Sequence, residues 1–103
     1  MQWTPGSRLK SVVCDTEVVV VRPPTGATAV ISCGGRPMVA HGADVDRRQP
    51  TVEGHEGPTV LGKRYGVEGD QVEVLVTKVG AGALGLNEAL MTTKDPKPLP
   101  SSD

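Results

Sequence analysis

The sequence predicts an all-β domain, and three observations carry that reading. Sixteen valines stand against seven leucines and one isoleucine, with no phenylalanine. A β-branched side chain is stiff at χ1 and fits a pleated surface better than a helix. Thirteen glycines and nine prolines are scattered along the chain, the punctuation of short strands and turns. Val72, Val74 and Val76 alternate with Glu73, Leu75 and Thr77, and a period of two lays the valines on one face of a strand. A core without phenylalanine is thin, so burial between subunits is expected to supplement it. The strands are expected to close as a small barrel or to pack as a two-layer sandwich or roll, with little or no helix.

Composition also excludes function classes. Eleven Lys and Arg balance twelve Asp and Glu among 103 residues. Nucleic-acid affinity needs many cations against phosphates, and stacking on single strands needs a row of aromatics. Trp3 and Tyr65 are the only ones here, so no nucleic-acid partner is expected. No apolar run approaches the length of a membrane span. The opening MQWTPGSRLK lacks the apolar stretch of a signal peptide. A soluble, cytoplasmic protein with no membrane partner is the expectation.

Taken along the chain, the elements repeat. Residues 6–22 lie over residues 62–78 at a constant offset of 56, so that Gly6 meets Gly62, Arg8 meets Arg64, Glu17-Val18 meets Glu73-Val74, and Arg22 meets Lys78. Gly26-Ala27 falls on Gly82-Ala83 in the same register. Residues 1–94 are therefore read as one β domain of two related strand-turn-strand halves, 6–39 and 62–91. Residues 41–58 connect the halves, and 95–103 form a Pro-rich flexible tail. In the first half a strand over 16–22, a turn over 23–27 and a return strand over 28–33 are predicted. The second half has a strand over 71–79, a turn over 80–82 and a return over 83–91. Asn87 and its followers also fit a short capped helix.

Period two assigns Val18, Val20, Val74 and Val76 to the inner face. Val19, Val21 and Leu75 then point outward. A strand apolar on both sides is normally covered on both sides, either by a loop or the tail, or by a second subunit. These three residues are the candidate interface of a homo-oligomer.

Three groups invite a chemical reading. Gly80, Gly82 and Gly85 spell G-x-G-x-x-G after a strand. The dinucleotide fingerprint also needs a βαβ unit and an acidic residue about 20 positions further on, which the short remainder does not supply. The glycines are read as turn residues, Gly82 with positive φ, and no nucleotide is expected.

Cys33-Gly34-Gly35-Arg36 places a thiol beside a glycine pair and a cation. The pattern marks a hairpin turn, and Arg36 could also activate Cys33 as a nucleophile. Cys14 is the second cysteine, expected nearby; each of the two also reads as a small buried hydrophobe, and in a chemical site Cys14 is the less reactive. Folding the first half as a hairpin sets Cys33 opposite Glu17. No CxxC exists, and in a reducing cytoplasm a disulfide is not expected.

The connecting segment carries His41, Asp44, Asp46, Glu53, His55 and Glu56. With Cys33, the histidines His41 and His55 form a candidate set for Zn or Fe, although neither a calcium loop nor an HExxH helix is spelled. The first functional expectation is a non-catalytic β module without a cofactor, binding a partner protein or small ligand as a homo-oligomer. The alternative is a metal-binding or thiol-dependent protein, an enzyme among the options, centred on Cys33 and the His41–His55 loop.

Overall fold

A computed structural model describes residues 3–26, 29–45, 48–57, 59–87 and 89–93. Among them run ten strands: β1 (Arg8–Lys10), β2 (Glu17–Arg22), β3 (Ile31–Cys33), β4 (Arg36–Pro37), β5 (Val39–Ala40), β6 (Arg64–Gly66), β7 (Glu73–Lys78), β8 (Leu84–Leu86), β9 (Ala89–Leu90) and β10 (Thr92–Thr93). The class is all-β. The helix considered near Asn87 does not form: Ala89–Leu90 is a strand against β8. The Pro-rich tail and Asp46 lie outside the described residues.

Two antiparallel sheets make up the domain. One has six strands in the order β10-β6-β7-β2-β1-β5, the other four in the order β4-β3-β8-β9. The long valine strands β2 and β7 pair at the centre of the larger sheet, Val18 with Val76, Val19 with Leu75 and Val20 with Val74. Their alternation puts Val18, Val20, Val74 and Val76 into a buried cluster with Leu9 and Val72, where Ile31, Cys33, Leu84 and Leu86 arrive from the smaller sheet. Burying each valine stabilises the fold by roughly 1.5–3 kcal/mol. Met38 and Met91, at the links from β4 to β5 and from β9 to β10, join the same cluster. Their unbranched chains fill the irregular space between the sheets.

One expectation about connectivity is overturned. β2 and β3 do not form a hairpin, and Cys33 does not face Glu17. After Arg22 the chain leaves the large sheet and starts the small one, where β3 pairs with β4 and β8. After β7 it crosses in the same way, so the segment around Gly80–Gly82 is a crossover and not a hairpin turn. The physical reason is burial. All three residues of β3 and of β8 are buried, which a two-stranded extension of the outer sheet would not achieve. The glycine pair does make a tight turn. Gly34 and Gly35, at φ 65° and 81°, join β3 to β4 with Cys33 opposite Arg36, as a two-residue loop with two left-handed positions requires.

A candidate thiol site at the crossover of the two sheets

The loop from β1 to β2 begins with Ser11, whose hydroxyl accepts from the backbone N–H of Val13 (2.9 Å) and of Cys14 (3.2 Å). This local capping turns the chain and directs Cys14 inward. Cys33, at the end of β3, comes from the other sheet. The two sulfurs lie 3.8 Å apart as free thiols.

The crossover after β7 holds them there. Gly82 donates its N–H to Cys14 Sγ (3.3 Å), and its carbonyl accepts from the Cys33 thiol (3.5 Å). A single residue thus engages both sulfurs. The glycines of the G-x-G-x-x-G stretch follow from this close approach. A Cβ on Gly80 would stand 2.3 Å from Thr16 Oγ1 and 2.8 Å from Cys14 Sγ. On Gly82 it would meet the Gly34 nitrogen at 2.9 Å and Cys33 Sγ at 3.0 Å. On Gly85 it would meet Ser32 Oγ at 2.8 Å. Gly82 is not among the glycines with positive φ. It is required for space, not for a left-handed turn, which corrects the expectation from sequence. The motif cradles sulfur.

The two thiols differ in environment. Cys33 is fully buried. Desolvation pushes its thiol up to about 11, with the neighbouring charge of Cys14 adding to the rise against the hydroxyls of Ser11 and Thr16. Cys14 is only partly buried. Burial works to raise its thiol too, but the Thr16 hydroxyl at 3.1 Å, the Thr16 backbone, the Ser11 hydroxyl and the Gly82 N–H outweigh it and bring the value down to about 7. The thiolate is the nucleophilic form. The sequence offered Cys33 as the candidate nucleophile with Cys14 the less reactive, beside the reading of both as buried core residues; here the surroundings lower the Cys14 thiol and raise that of Cys33. Arg36 donates to the Pro50 carbonyl instead of serving Cys33. The overlooked signal was the pair of hydroxyls around Cys14 in Ser11-Val-Val-Cys-Asp-Thr16.

The connecting segment does fold over this corner. Gln49 donates to the Val12 carbonyl, Val52 to that of Gly34, and Ala83 to that of His55. Glu56 bridges to Gly82. The predicted metal set is not assembled, however. His41 follows β5 at the rim, with Nε2 3.0 Å from Glu17 Oε1. His55 packs against Gly35, its Nδ1 buried without a hydrogen-bond partner among the described residues. No group of three or more metal-ligating side chains occurs among the described residues. Val19, Val21 and Leu75 are half-buried, as outward positions. No helix of the described residues is long and apolar enough to cross a membrane. Comparison with known proteins finds no matching family model, no similar curated protein and no similar solved structure.

Proposed function

We propose that this is a thiol-dependent protein in which Cys14 is the attacking thiol and Cys33 the resolving one, the pair passing reversibly between dithiol and disulfide. The observation that carries this is the 3.8 Å approach of the two sulfurs beside a shared residue, Gly82. A disulfide needs about 2.05 Å between the sulfurs, so closure asks for a shift of under 2 Å in side chains held by one loop and one strand end. The split in thiol acidity supports the same division of roles. A cytoplasmic setting, expected from the sequence, would keep the pair reduced at rest.

The test is alkylation of the native, reduced protein by iodoacetamide across pH, with peptide mapping of both cysteines. Cys14 should react with a midpoint near 7, and Cys33 only after denaturation. Mild oxidation should then link Cys14 to Cys33 within one chain. If Cys33 reacts first, or if neither thiol reacts before unfolding, the assignment is wrong.

We also propose that the chain arose by duplication of one five-strand unit. Several paired features support this. β1 pairs with β2 and β5 as β6 pairs with β7 and β10, and β3 pairs with β4 as β8 pairs with β9. Gly6 donates to the Val20 carbonyl as Gly62 does to that of Val76, and Met38 to that of Ile31 as Met91 does to that of Leu84. The offset is 56 in the first of these pairs of bonds and 53 in the second (62 − 6 and 91 − 38). On this reading, the link after β2 carries three residues more than the link after β7.

A second functional reading, a binding module that self-associates, is favoured by one observation. Val19 and Leu75 pair directly at the centre of the large sheet, and their outward side chains are only partly covered. Sedimentation over a range of concentrations tests it.

A further inference from the structure

The open side of Cys14 faces a cleft of about 230 Å³. Ser11 lines it beside the thiol, and four charged side chains surround it: Lys10, Arg48, Asp15 and Glu17. The charges sum to zero (two cations, two anions). Lys10 and Glu17 face each other across β1 and β2. Arg48 is bonded to Asp15, and Glu17 is shared between His41 and Lys78. Among the described residues, Lys10 takes part in no ion pair. It is the cation available to a carboxylate, with the Glu17 carboxylate directly across from it. The volume falls below the roughly 300–1,000 Å³ of pockets for drug-sized ligands. Molecules of amino-acid size fit, and a folded partner does not.

We propose, resting on the thiol reading above, that this cleft admits the disulfide of a small zwitterionic thiol, one bearing both an ammonium and a carboxylate group. Lys10 receives the carboxylate and Glu17 the ammonium, each as a charge-assisted hydrogen bond. Glu17 accepts at Oε2, whose Lys78 neighbour stands 3.9 Å away, beyond hydrogen-bond distance. The Cys14 thiolate attacks one sulfur of R–S–S–R. A bond forms between Cys14 Sγ and that sulfur, the S–S bond of the reagent breaks, and RS⁻ leaves and is protonated by solvent. Cys33 then attacks Cys14 Sγ from the buried side. The intramolecular disulfide forms, and the second RS⁻ departs into the cleft with the proton Cys33 has given up. Two protein thiols are oxidised and one small disulfide is reduced to two thiols. Neutralising Cys14 in the mixed disulfide also removes the neighbouring charge that helps hold Cys33 protonated, so the first step prepares the second.

The test uses the full reduced chain and four disulfides of similar length: cystine (zwitterion), cystamine (dication), dithiodiglycolate (dianion) and 2-hydroxyethyl disulfide (neutral). Rates of Cys14 loss are divided by each reagent's rate with free N-acetylcysteine. Cystine should exceed the other three by about tenfold, the scale of one charge-assisted hydrogen bond. The ratio of cystine to neutral disulfide should fall toward one in Lys10→Gln and in Glu17→Gln. Equal normalised rates in the wild type would overturn the zwitterion proposal and leave the thiol reading standing. A Cys14 inert to all four reagents would overturn both.

Discussion

In the corner between β1 and β2 the hydrogen-bond acceptor is the sulfur of Cys14; in the corner between β6 and β7 it is the carboxylate of Asp70. Asp70 Oδ1 accepts from the N–H of Val72 (2.9 Å), the N–H of Thr25 (3.1 Å) and the Thr25 hydroxyl (3.4 Å). Cys14 Sγ accepts from the N–H of Gly82 and sits beside Thr16. Each acceptor therefore receives an N–H from the crossover that follows the neighbouring long strand, Thr25 after β2 and Gly82 after β7. Both acids are shifted down. For Asp70 the Val72 N–H is the largest cause, and for Cys14 the Thr16 hydroxyl is the largest that lowers it. Such a corner stabilises whatever anion stands in it. A carboxylate there fastens the turn, whereas a thiol there is held nearer its thiolate form, with a second thiol 3.8 Å behind it. In β8, 53 residues on from Cys33, stands Leu86.

The largest difference between the corners is in the space around the crossover glycines. Alanine at Gly80 would bring its Cβ to 2.6 Å from the Thr16 backbone nitrogen, which no side-chain rotation relieves. Gly80→Ala should cost about 3 kcal/mol, the upper end of overpacking in a well-packed interior. At Gly26, in the other crossover, the nearest atom to an added Cβ is Ala29 Cβ at 3.8 Å, ordinary contact. Gly26→Ala should stay within about 0.5 kcal/mol of wild type. Urea unfolding in reducing buffer measures both, and equal costs would sink the claim that only one crossover is pressed against a reactive pair.

Much of this architecture was legible because it follows from local periodicity. The alternation in Val72, Val74 and Val76 fixed which valines are buried, and Gly34-Gly35 announced its turn. What sequence missed is non-local. Nothing in Pro23-Pro24-Thr25-Gly26 tells whether the strand that follows returns to the same sheet or starts another, because that choice depends on the burial of β3 between β4 and β8. For the same reason the proximity of the two cysteines was expected through the wrong connection. Ranking their acidities required knowing that the Ser11 and Thr16 hydroxyls close on Cys14 while Cys33 is desolvated between the sheets, and that difference in burial is non-local. The histidines misled for a simpler cause. His41 and His55 share a loop in sequence, yet one end of that loop is tied to β1 through Arg8 and the other to the crossover through Ala83.

A smaller effect should follow from making the first corner resemble the second. Thr16, before β2, is fully buried, and so is Val72, before β7. Thr16→Val keeps the shape and removes the hydroxyl that lies 3.1 Å from Cys14 Sγ. The Cys14 thiol should move up from about 7 toward its ordinary 9.0, and its alkylation rate at neutral pH should fall severalfold. Thr16→Ser, which restores a hydroxyl, should recover most of the rate. A Thr16→Val protein as reactive as wild type would show that Ser11 and the backbone set the thiol's acidity without the Thr16 hydroxyl.

The smallest effect is on stability against pH, and there the two thiols of one corner should oppose each other. Cys14 has a folded value near 7 and an ordinary value of 9.0. Between those limits the unfolded chain holds a proton that the folded chain has lost, so stability rises with pH through that window. Cys33 has a folded value near 11 against the same 9.0. Above pH 9 the folded chain keeps a proton that the unfolded chain has lost, and stability falls as pH climbs. The urea midpoint in reducing buffer should therefore pass through a maximum near pH 9 from these two groups. Cys14→Ser should flatten the alkaline rise and leave the later fall. Asp70, whose carboxyl lies below its ordinary 3.8, contributes in the other corner and at the other end of the scale. Its share is present above that value and disappears as pH drops through the lowered one, so Asp70→Asn should blunt only the acid limb. If Cys14→Ser shows the same rise between pH 7 and 9 as wild type, the thiolate in the first corner is not the counterpart of the carboxylate in the second.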